Sequence, residues 1–372
     1  MPDRLGYNMG LMNHRLKIAV IGVGRMGRHH ARIYTELPQV QLVGVVDTDQ
    51  DRGETVGDEC HCPAYESCAA LCAEHDDLAA VSIAVPTQYH IEVALPLLQR
   101  RIACLVEKPL APSLEQARQL VHCARENKAI LQVGHTERFN PAVRAVCNLE
   151  LTPRFIQVDR VSPMTFRSLD TSVVMDMMIH DLDIVLMLAR SNIRKVDAAG
   201  VTVLGEHEDV ANARIVFGNG CVANLTASRL AMKTERKLRL VSEMAYVRLD
   251  YHDQSGIIIR RSDPNATALQ SIRARLAAGE DLSNLDYSDM IEIDDLGTVG
   301  TDDPLTAELT SFADCIAGRQ RPVVTAEDGC AAVDAAERVL AAIRAHQWDG
   351  LGSHGLEMTI PSAPERVQSP QH

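Results

Sequence analysis

Short apolar runs recur through the first third of the chain, separated by longer stretches of mixed polar and apolar residues. They are rich in β-branched residues and have the length of buried strands. Between the last two runs, Ser113 begins a helix that extends to Asn127, with Gln116 three residues beyond the capping serine. Alternating strands and helices predict a parallel, doubly wound α/β sheet that binds ligands at the carboxyl ends of its strands. The apolar runs cover residues 17–21, 40–46, 78–85, 102–107 and 129–134.

The hydrophobic pattern changes from about residue 150, where predicted strands follow one another without long helices between them. Successive strands of this kind indicate an open, mainly antiparallel or mixed sheet. A hairpin turn is expected at Gly218-Asn-Gly220. Periodicity and alanine content then predict helices over residues 305–318 and 326–346. The predicted strands of this half cover residues 155–161, 196–204, 211–217, 221–228, 237–249 and 257–260.

A glycine-rich turn follows the first predicted strand. It reads Gly22-Val-Gly-Arg-Met-Gly27, and after it come a helix and a second strand that ends at Asp47. Gly22 permits the tight turn, Gly24 lets the backbone approach a pyrophosphate, and Gly27 lets the helix pack close to the strand. Asp47 lies about twenty residues past the last glycine, where a carboxylate binds the adenosine ribose. The whole pattern predicts a dinucleotide-binding domain, with the pyrophosphate at the N-terminus of the helix.

Asp47 also bears on the choice of dinucleotide. Its charge would repel the 2′-phosphate of NADP, and Thr48 and Asp49 beside it offer no cation, so NAD is the expected cofactor. A cation from Arg25 or Arg52 would reverse this preference. Polar residues that follow the other strands are expected at the same rim of the sheet. The residues predicted to bind the cofactor are Gly22, Gly24, Arg25, Met26, Gly27, Asp47, Pro86, Thr87, His90, Glu107 and Lys108.

The change of pattern predicts two domains. Residues 15–135 are expected to form the NAD-binding Rossmann domain, and residues 136–348 an α+β domain for substrate binding and oligomerisation. The segments 1–14 and 350–372 are expected to be disordered tails.

The formal net charge of −13 argues against broad binding to nucleic acid or to anionic membranes. No apolar run has the length of a membrane span, and the N-terminus lacks a signal-peptide pattern. With 10 cysteines and no secretory signal, the chain is expected to be cytoplasmic, with reduced thiols. Cys60, Cys62, Cys68 and Cys72 lie close together around His61, but their spacing matches no familiar ligand pattern. We interpret them as ordinary thiols rather than as a metal site.

The segment 173–186, VVMDMMIHDLDIVL, places three aspartates and a histidine in an apolar run. Buried carboxylates are costly unless they have partners, so these side chains need a purpose. In a helix, Asp176 and His180 lie about one turn apart on the same face and can project into one cleft. Asp183 falls on nearly the same face and is expected to be a structural partner, whereas Asp181 points elsewhere or interacts locally.

Three motifs in this order resemble those of the Gfo/Idh/MocA oxidoreductases, named for glucose–fructose oxidoreductase and inositol dehydrogenase. They are the GxGxxG turn, Glu107-Lys-Pro109 and Asp176-Met-Met-Ile-His180, and the resemblance covers about residues 15–345. It implies an N-terminal Rossmann domain for NAD(P) and a C-terminal open sheet that forms the substrate face. It also implies that Lys108, Asp176 and His180 line the catalytic centre.

A finer resemblance connects the chain to the UDP-N-acetylglucosamine 3-dehydrogenases of that family. It is carried by residues 134–141, which read GHTERFNP, and by Arg160, Pro163, Arg167 and Asp170 ahead of the aspartate-rich segment. Enzymes of this group oxidise the C3 hydroxyl of the sugar, and a partner aminotransferase then aminates the ketone on the route to a diamino sugar for lipid A. Related dehydrogenases of the corresponding uronic acid would look similar, so the resemblance leaves the exact sugar open.

Oxidation of a secondary alcohol needs a base for the hydroxyl proton and a carbinol carbon stacked against the nicotinamide. His180 suits the base, because the ordinary pKa of histidine is about 6.5. Lys108 can stabilise the developing alkoxide, or can itself be the base if burial and a nearby cation lower its pKa. We favour His180 as the base and expect Asp176 to orient one of the two.

A UDP group would bring about two negative charges into an acidic protein, so local arginines must receive it. Arg138, Arg160 and Arg167 are the candidates, with Asn140 and His135 able to bond the sugar or the uracil. Together with His180, these residues form the predicted substrate site.

The sequence therefore predicts a cytoplasmic, NAD-dependent dehydrogenase that oxidises C3 of UDP-N-acetylglucosamine. Alternatives in the same class would act on the UDP-N-acetylglucosamine uronate, an inositol or a free sugar. A non-catalytic NAD-binding sensor is the alternative from another class, although the complete set of Lys108, Asp176 and His180 argues against it. The uncovered face of an open sheet also predicts a homo-oligomer, either a dimer or a tetramer.

Overall fold

The computed structural model describes residues 15–165, 170–262, 267–286, 290–297 and 303–348. Within these residues the strands form one sheet of six strands and one of eight. The strands are β1 (Leu16–Ile21), β2 (Val40–Val46), β3 (Ala64–Tyr65), β4 (Ala80–Ile83), β5 (Ala103–Glu107), β6 (Leu131–Gly134), β7 (Pro153–Val161), β8 (Ile193–Val201), β9 (Val210–Phe217), β10 (Val222–Ser228), β11 (Glu235–Ser242), β12 (Ala245–Asp250), β13 (Ser255–Arg261) and β14 (Ile291–Asp295). The helices are α1 (Arg25–Glu36), α2 (Gln50–Cys60), α3 (Cys68–Glu74), α4 (His90–Gln99), α5 (Leu114–Asn127), α6 (Pro141–Cys147), α7 (Ile179–Ala189), α8 (Thr267–Ala277), α9 (Pro304–Ile316) and α10 (Ala326–Ala345).

The six-stranded sheet is parallel and has the order β3-β2-β1-β4-β5-β6. The winding reverses between β1 and β4, and this is the place where a doubly wound sheet opens a ligand crevice at its strand ends. All residues of β4 and β5 are buried, because helices cover both faces of the sheet. The predicted doubly wound α/β domain is thereby confirmed.

The eight-stranded sheet has the order β14-β13-β12-β11-β7-β10-β9-β8. Its neighbouring strands are antiparallel except for β7 and β10, which run parallel. One face is buried at alternate positions, as Ala223, Leu225 and Ala227 of β10 show. On this sheet α7 packs against β7 and α10 against β8. The structure thus confirms the predicted open, mainly antiparallel sheet of an α+β unit.

Helix α9 packs back onto the first sheet, although it follows the second sheet in the sequence. Leu309 and Phe312 of α9 share one core with Ile18 and Val20 of β1. The same helix contacts α1. The predicted division near residue 135 stays a prediction, and the C-terminal part of the chain contributes to the core of the first sheet.

Several predicted boundaries change in the structure. The single strand predicted over residues 237–249 is wrong, because β11 and β12 are separate strands joined by a turn. The Ser242 hydroxyl causes this break by accepting the N–H groups of Met244 and Ala245 at 3.2 and 2.9 Å. The hairpin between β9 and β10 is confirmed, with Gly220 at a φ of +87°. Helix α1 begins at Arg25, directly after the glycine-rich turn.

Both predicted tails lie outside the described residues. Among the described helices, none is long and apolar enough to cross a membrane.

Candidate active site

The glycine-rich turn connects β1 to α1 at the crevice. Gly22 has a φ of +80°, and a Cβ at this position would lie 2.7 Å from the side chain of Val85. A Cβ on Gly27 would collide with the Gly22 carbonyl oxygen, so glycine is needed for α1 to pack this close to β1. Gly24 precedes α1 without a side-chain cap, and a Cβ there would meet no described atom within 4 Å. The open helix N-terminus fits the pyrophosphate of a dinucleotide.

Asp47 directly follows β2 and is mostly buried. It accepts the N–H groups of Val23 and Asp49 at 2.9 and 3.0 Å, and Arg52 donates to both of its oxygens at 3.0 and 2.6 Å. Burial acts to raise the pKa of Asp47, but the hydrogen bonds from Arg52 and the two backbone groups outweigh burial and lower it. An ionised carboxylate here suits ribose hydroxyls and disfavours a 2′-phosphate. Arg52, the cation that could have reversed the preference, is paired with Asp47, which offsets its charge, so the arrangement favours NAD.

Four further residues predicted at the cofactor rim lie on two turns beside the crevice. Arg25 and Met26 form the first turn of α1, with Arg25 exposed and Met26 partly exposed. Pro86 and Thr87 lie after β4, where Thr87 begins a 3-10 turn. Their contact with the dinucleotide stays a prediction.

His90 is buried inside the first domain, and its predicted contact with the cofactor is wrong. Nδ1 lies 3.0 Å from the carbonyl oxygen of Pro109, and Nε2 lies 3.0 Å from that of Val85. Main-chain oxygens thus face both ring nitrogens. The ring braces the segment after β4 against the segment after β5, which carries Lys108.

Glu107 ends β5 as a buried carboxylate. Its Oε1 lies 3.1 Å from Nε2 of His30, and its Oε2 accepts the N–H group of Lys108 at 3.2 Å. A Cβ on Gly134 would lie 3.2 Å from this carboxylate, so glycine leaves room for it. Burial acts to raise the pKa of Glu107, but His30 and Lys108 outweigh burial and lower it. Glu107 therefore fixes the main chain of Lys108, and its contact with the cofactor stays a prediction.

Lys108 connects the two halves of the candidate site. Its Nζ donates to the main-chain oxygen of Asp176 at 2.7 Å and to Oδ1 of the same residue at 3.3 Å. Both side chains are partly exposed, at 18% for Lys108 and 34% for Asp176. Asp176 lies in a π-helical turn, Val174–Met178, where the sequence predicted an α-helix. Such turns are frequent at functional sites, and this one presents a carbonyl and a carboxylate to one amine.

His180 lies in the first turn of α7, close to Lys108. Its Nδ1 has no hydrogen-bond partner among the described residues. Burial lowers the pKa of His180 well below its ordinary value, and the charges of Lys108 and Arg160 act in the same direction. The imidazole is therefore neutral at pH 7 and can accept a proton.

His135 follows β6, and its ring centroid lies 6.4 Å from that of His180. The side chain is buried, and neither ring nitrogen has a partner among the described residues. Burial lowers the pKa of His135, against an opposing effect of Asp183. A buried polar group without a partner is unusual. The ring is therefore compatible with the predicted contact to a substrate.

Two of the three arginines predicted to receive a diphosphate are buried in ion pairs. Arg138 donates to both oxygens of Asp183 at 2.5 and 2.7 Å. Arg160 donates to both oxygens of Asp181 at 2.7 and 2.9 Å, and its third contact is with Glu137 at 3.0 Å. The two arginine side chains are only 8% and 4% exposed. These ion pairs argue against the prediction that the two arginines bind the diphosphate, because carboxylates of the protein accept from Nε and Nη2 of Arg138 and from all three nitrogens of Arg160.

Asn140 was also predicted to bind the substrate, and its side chain is instead buried. It accepts the N–H group of Ala142 at 3.1 Å, which caps α6, and it donates to the carbonyl oxygen of Tyr251 at 3.0 Å. The prediction is wrong, since both ends of the amide serve the fold. Arg167 lies outside the described residues. The interpretation of Asp183 as a structural partner is confirmed.

Glu308 is a buried residue of the site that the sequence analysis missed. Its Oε2 accepts a hydrogen bond from the Thr136 hydroxyl at 2.9 Å. Burial raises the pKa of Glu308 well above its ordinary value, and the charge of Glu107 adds to the effect. A signal was present, since Glu308 falls in the helical apolar stripe of Leu305, Leu309 and Phe312.

Arg236 was missed as well. It lies in phase with the buried Leu238 and Leu240 of β11, so strand alternation places it on the covered face of the sheet. The predicted strand began one residue later, at Lys237, and so left it out.

The clustered cysteines are free thiols. Burial raises the pKa of Cys62 to about 12 and that of Cys68 to about 11, which makes both poor thiolates at neutral pH. Across the described parts of the chain, His, Cys, Asp and Glu side chains form no group that could hold a metal ion.

Two family models match the chain. Residues 16–135 match the model described as "Oxidoreductase family, NAD-binding Rossmann fold". Residues 154–248 match the GFO/IDH/MocA C-terminal domain.

Similar proteins act on sugars and cyclitols. A UDP-N-acetylglucosamine 3-dehydrogenase from Acidithiobacillus ferrooxidans is 34% identical over 88% of this chain and 95% of its own length. The scyllo-inositol 2-dehydrogenase (NAD(+)) of Bacillus subtilis is 29% identical over 59% of this chain and 68% of its own length. A solved structure of UDP-N-acetylglucosamine 3-dehydrogenase from A. ferrooxidans superposes with a TM-score of 0.78 and 31% identity, covering 89% of this chain and 98% of that one.

Proposed function

The chain belongs to the Gfo/Idh/MocA family of NAD-dependent oxidoreductases, and on that basis we propose that it oxidises the C3 hydroxyl of UDP-N-acetylglucosamine to the 3-keto sugar nucleotide. The observation that carries the proposal is the contact of Lys108 with Asp176. It joins the end of β5 in the NAD-binding domain to the turn that precedes α7. The similarity to UDP-N-acetylglucosamine 3-dehydrogenase over nearly the whole chain supports the choice of sugar.

The reaction divides between the cofactor and three side chains. The glycine-rich turn and Asp47 would hold NAD, whose nicotinamide would supply the acceptor for the hydride of C3. His180 takes the proton of the C3 hydroxyl, since its imidazole is unprotonated at neutral pH and its Nδ1 has no partner among the described residues. The lowered pKa makes it a weaker base than the ordinary pKa of histidine suggested. Lys108 donates a hydrogen bond to the same oxygen and stabilises its developing negative charge. Asp176 orients the amine of Lys108 through its main-chain and side-chain oxygens.

The amine of Lys108 is assigned as a donor rather than as the base. It already donates to the carbonyl oxygen of Asp176 at 2.7 Å, and another of its N–H groups would donate to the substrate hydroxyl. His135 would bond the sugar ring, since its buried nitrogens have no partner among the described residues.

The setting of the reaction is also part of the proposal. The enzyme would act in the cytoplasm as a homo-oligomer, a dimer or a tetramer, with the outer face of the eight-stranded sheet at the interface. A 3-keto sugar is a substrate for transamination, so an aminotransferase would consume the product on the way to a diamino sugar of lipid A.

A substrate panel tests the proposed function. Purified protein is mixed with NAD and, in separate reactions, UDP-N-acetylglucosamine, its uronate, N-acetylglucosamine and scyllo-inositol, while the absorbance of reduced nicotinamide is followed. We expect reduction with UDP-N-acetylglucosamine and a product mass two hydrogens lower. Preferential turnover of scyllo-inositol would contradict the choice of substrate, as the B. subtilis relative makes this the most direct competitor. Reduction with none of the four would favour a non-catalytic sensor.

A further inference from the structure

The second sheet presents a cation beside the catalytic helix that the mechanism above does not use. Arg236 is the second residue of β11, and its direct partner across the strand pair is Arg160 of β7. Paired residues project from the same face of a sheet, so both guanidinium groups lie on the face that α7 covers. The side chain of Arg236 is nevertheless 46% exposed, against 4% for Arg160. Arg236 thus stands at the open edge of the covered face.

The nearby carboxylates are used by Arg160 rather than by Arg236. Asp181 contacts Arg160 at 2.7 and 2.9 Å, and Glu137 contacts it at 3.0 Å. Arg236 Nη1 lies 3.7 Å from the same Glu137 oxygen, which is too long for a hydrogen bond. These distances show that Asp181 and Glu137 are bound mainly by Arg160, so their negative charge offsets little of the charge of Arg236.

This arrangement leaves Arg236 with an unfavourable neighbour. Like charges directly opposite each other in a strand pair are destabilising. Burial lowers the pKa of Arg236, and the charge of Arg160 acts in the same direction, against smaller opposing effects of Glu137 and Asp181. An anion placed against the exposed side of Arg236 would offset this repulsion and would find planar N–H donors for two oxygens.

The cation is also close to the proposed base. Asp181, which binds Arg160, is the residue after His180 in α7. The charges of Arg160 and Arg236 both contribute to the lowered pKa of His180. A group that binds Arg236 therefore lies near the substrate hydroxyl, on the side of the second sheet. In a sugar nucleotide, the diphosphate is attached to C1, which is two ring bonds from C3, so it lies within a few ångströms of the reacting hydroxyl and suits this place.

We propose that Arg236 binds the diphosphate of the sugar nucleotide and so determines specificity for nucleotide-linked over free sugars. The proposal rests on the proposed function, because it assigns a subsite for that substrate. Arg236 takes the role that the sequence suggested for Arg138 and Arg160, whose guanidinium groups are closed off by Asp183 and Asp181.

The test compares Arg236→Gln with a matched control, Arg239→Gln. Arg239 lies on the same strand but on the opposite face, where it pairs with Asp159 at 2.9 Å, and its loss changes the net charge equally. Calorimetry measures the affinity for UDP with NAD present, and initial rates give kcat and KM for UDP-N-acetylglucosamine. Arg236→Gln is expected to weaken UDP binding and raise the KM for UDP-N-acetylglucosamine by about 10- to 100-fold, with the KM for NAD unchanged. Arg239→Gln should match the wild type in UDP affinity and in the KM for UDP-N-acetylglucosamine, and Arg236→Lys should fall between the wild type and Arg236→Gln.

Each contrary outcome has a separate meaning. Equal UDP affinity in wild type and Arg236→Gln, or no binding of UDP to the wild type, would overturn the subsite. A rise in KM confined to the uronate substrate, with UDP affinity unchanged, would place a sugar carboxylate at Arg236 and would equally overturn the diphosphate assignment. If UDP binding depends on Arg236 but only scyllo-inositol is oxidised, the subsite stands and the proposed function fails. Thermal unfolding of both glutamine variants checks that they are folded, and Arg236→Lys replaces Arg236→Gln if that variant is not.

Discussion

The buried ion pair of Arg138 and Asp183 ties the segment after β6 to α7, and Asp183→Asn breaks it with little change in side-chain size. The two hydrogen bonds measure 2.5 and 2.7 Å, and the side chains are 8% and 1% exposed. After the substitution, the guanidinium stays buried, with Asp328 at 3.7 Å as its nearest remaining carboxylate among the described residues. The variant therefore leaves a desolvated cation without a close counter-charge.

The expected cost is large. Removing one partner of a buried pair destabilises a protein by about 3–5 kcal/mol, because the remaining charge stays out of water. A domain of about 150–250 residues loses about 2 °C or more in Tm per kcal/mol, so the Tm should fall by about 6 °C or more. Asp159→Asn is the control, since it breaks the pair with Arg239, whose side chains are 33% and 28% exposed. Such a partly exposed pair is worth about 0–1 kcal/mol.

The assay combines thermal unfolding with steady-state kinetics. The double variant Arg138→Met/Asp183→Leu removes both charges, so it should recover much of the lost Tm and keep the KM for UDP-N-acetylglucosamine near that of the wild type. A wild-type Tm for Asp183→Asn would refute the structural assignment of the pair. A stable double variant with a strongly raised KM for UDP-N-acetylglucosamine would show that Arg138 contributes to substrate binding.

Three further predictions concern titration and cofactor choice. The value of kcat/KM should stay level as the pH falls through about 6.5, because the pKa of His180 lies well below its ordinary value; a pH–rate profile with its acid midpoint near that pH would contradict this. Asp47→Ala should raise the KM for NAD by about tenfold or more and improve the use of NADP, since Arg52 loses its carboxylate partner; unchanged initial-rate constants for both cofactors would count against it. The raised pKa of Glu308 means that the folded state keeps a proton that the unfolded state releases, so this group destabilises the fold as the pH rises above about 4.5. Glu308→Gln should therefore lessen the decline in Tm toward alkaline pH, and parallel Tm curves for the two proteins would argue against the assignment.

Local patterns were sufficient for the architecture of the fold. The β-branched runs of the first sheet are buried on both faces, and the alternation in β10 marks a sheet covered on one face. The glycines of the first turn could be assigned roles from their spacing, and the contacts at Gly22 and Gly27 agree with those roles. Patterns could not show that α9 returns to the first sheet, because this packing depends on contacts between residues about three hundred positions apart.

The sequence could not show which charged residues pair with one another. The sequence favoured Arg138, Arg160 and Arg167 as anion ligands and gave no reason to single out Arg236. Which of them is free depends on the placement of Asp181 and Asp183, which point from α7 toward β7 and toward the segment after β6. The π-helical turn at Asp176 could not be predicted either, since helical spacing alone does not distinguish a π-helical turn from an α-helix.

Transfer of the C3 hydrogen to the cofactor is the event on which the whole account depends. UDP-N-acetylglucosamine deuterated at C3 is incubated with the enzyme and NAD, and the reduced nicotinamide and the sugar product are analysed by mass spectrometry. The account predicts that the deuterium moves to the nicotinamide, that the sugar becomes a ketone without the label, and that Lys108→Met and His180→Asn strongly reduce the rate of transfer. Label retained in the sugar, or transfer at the wild-type rate in both variants, would contradict it.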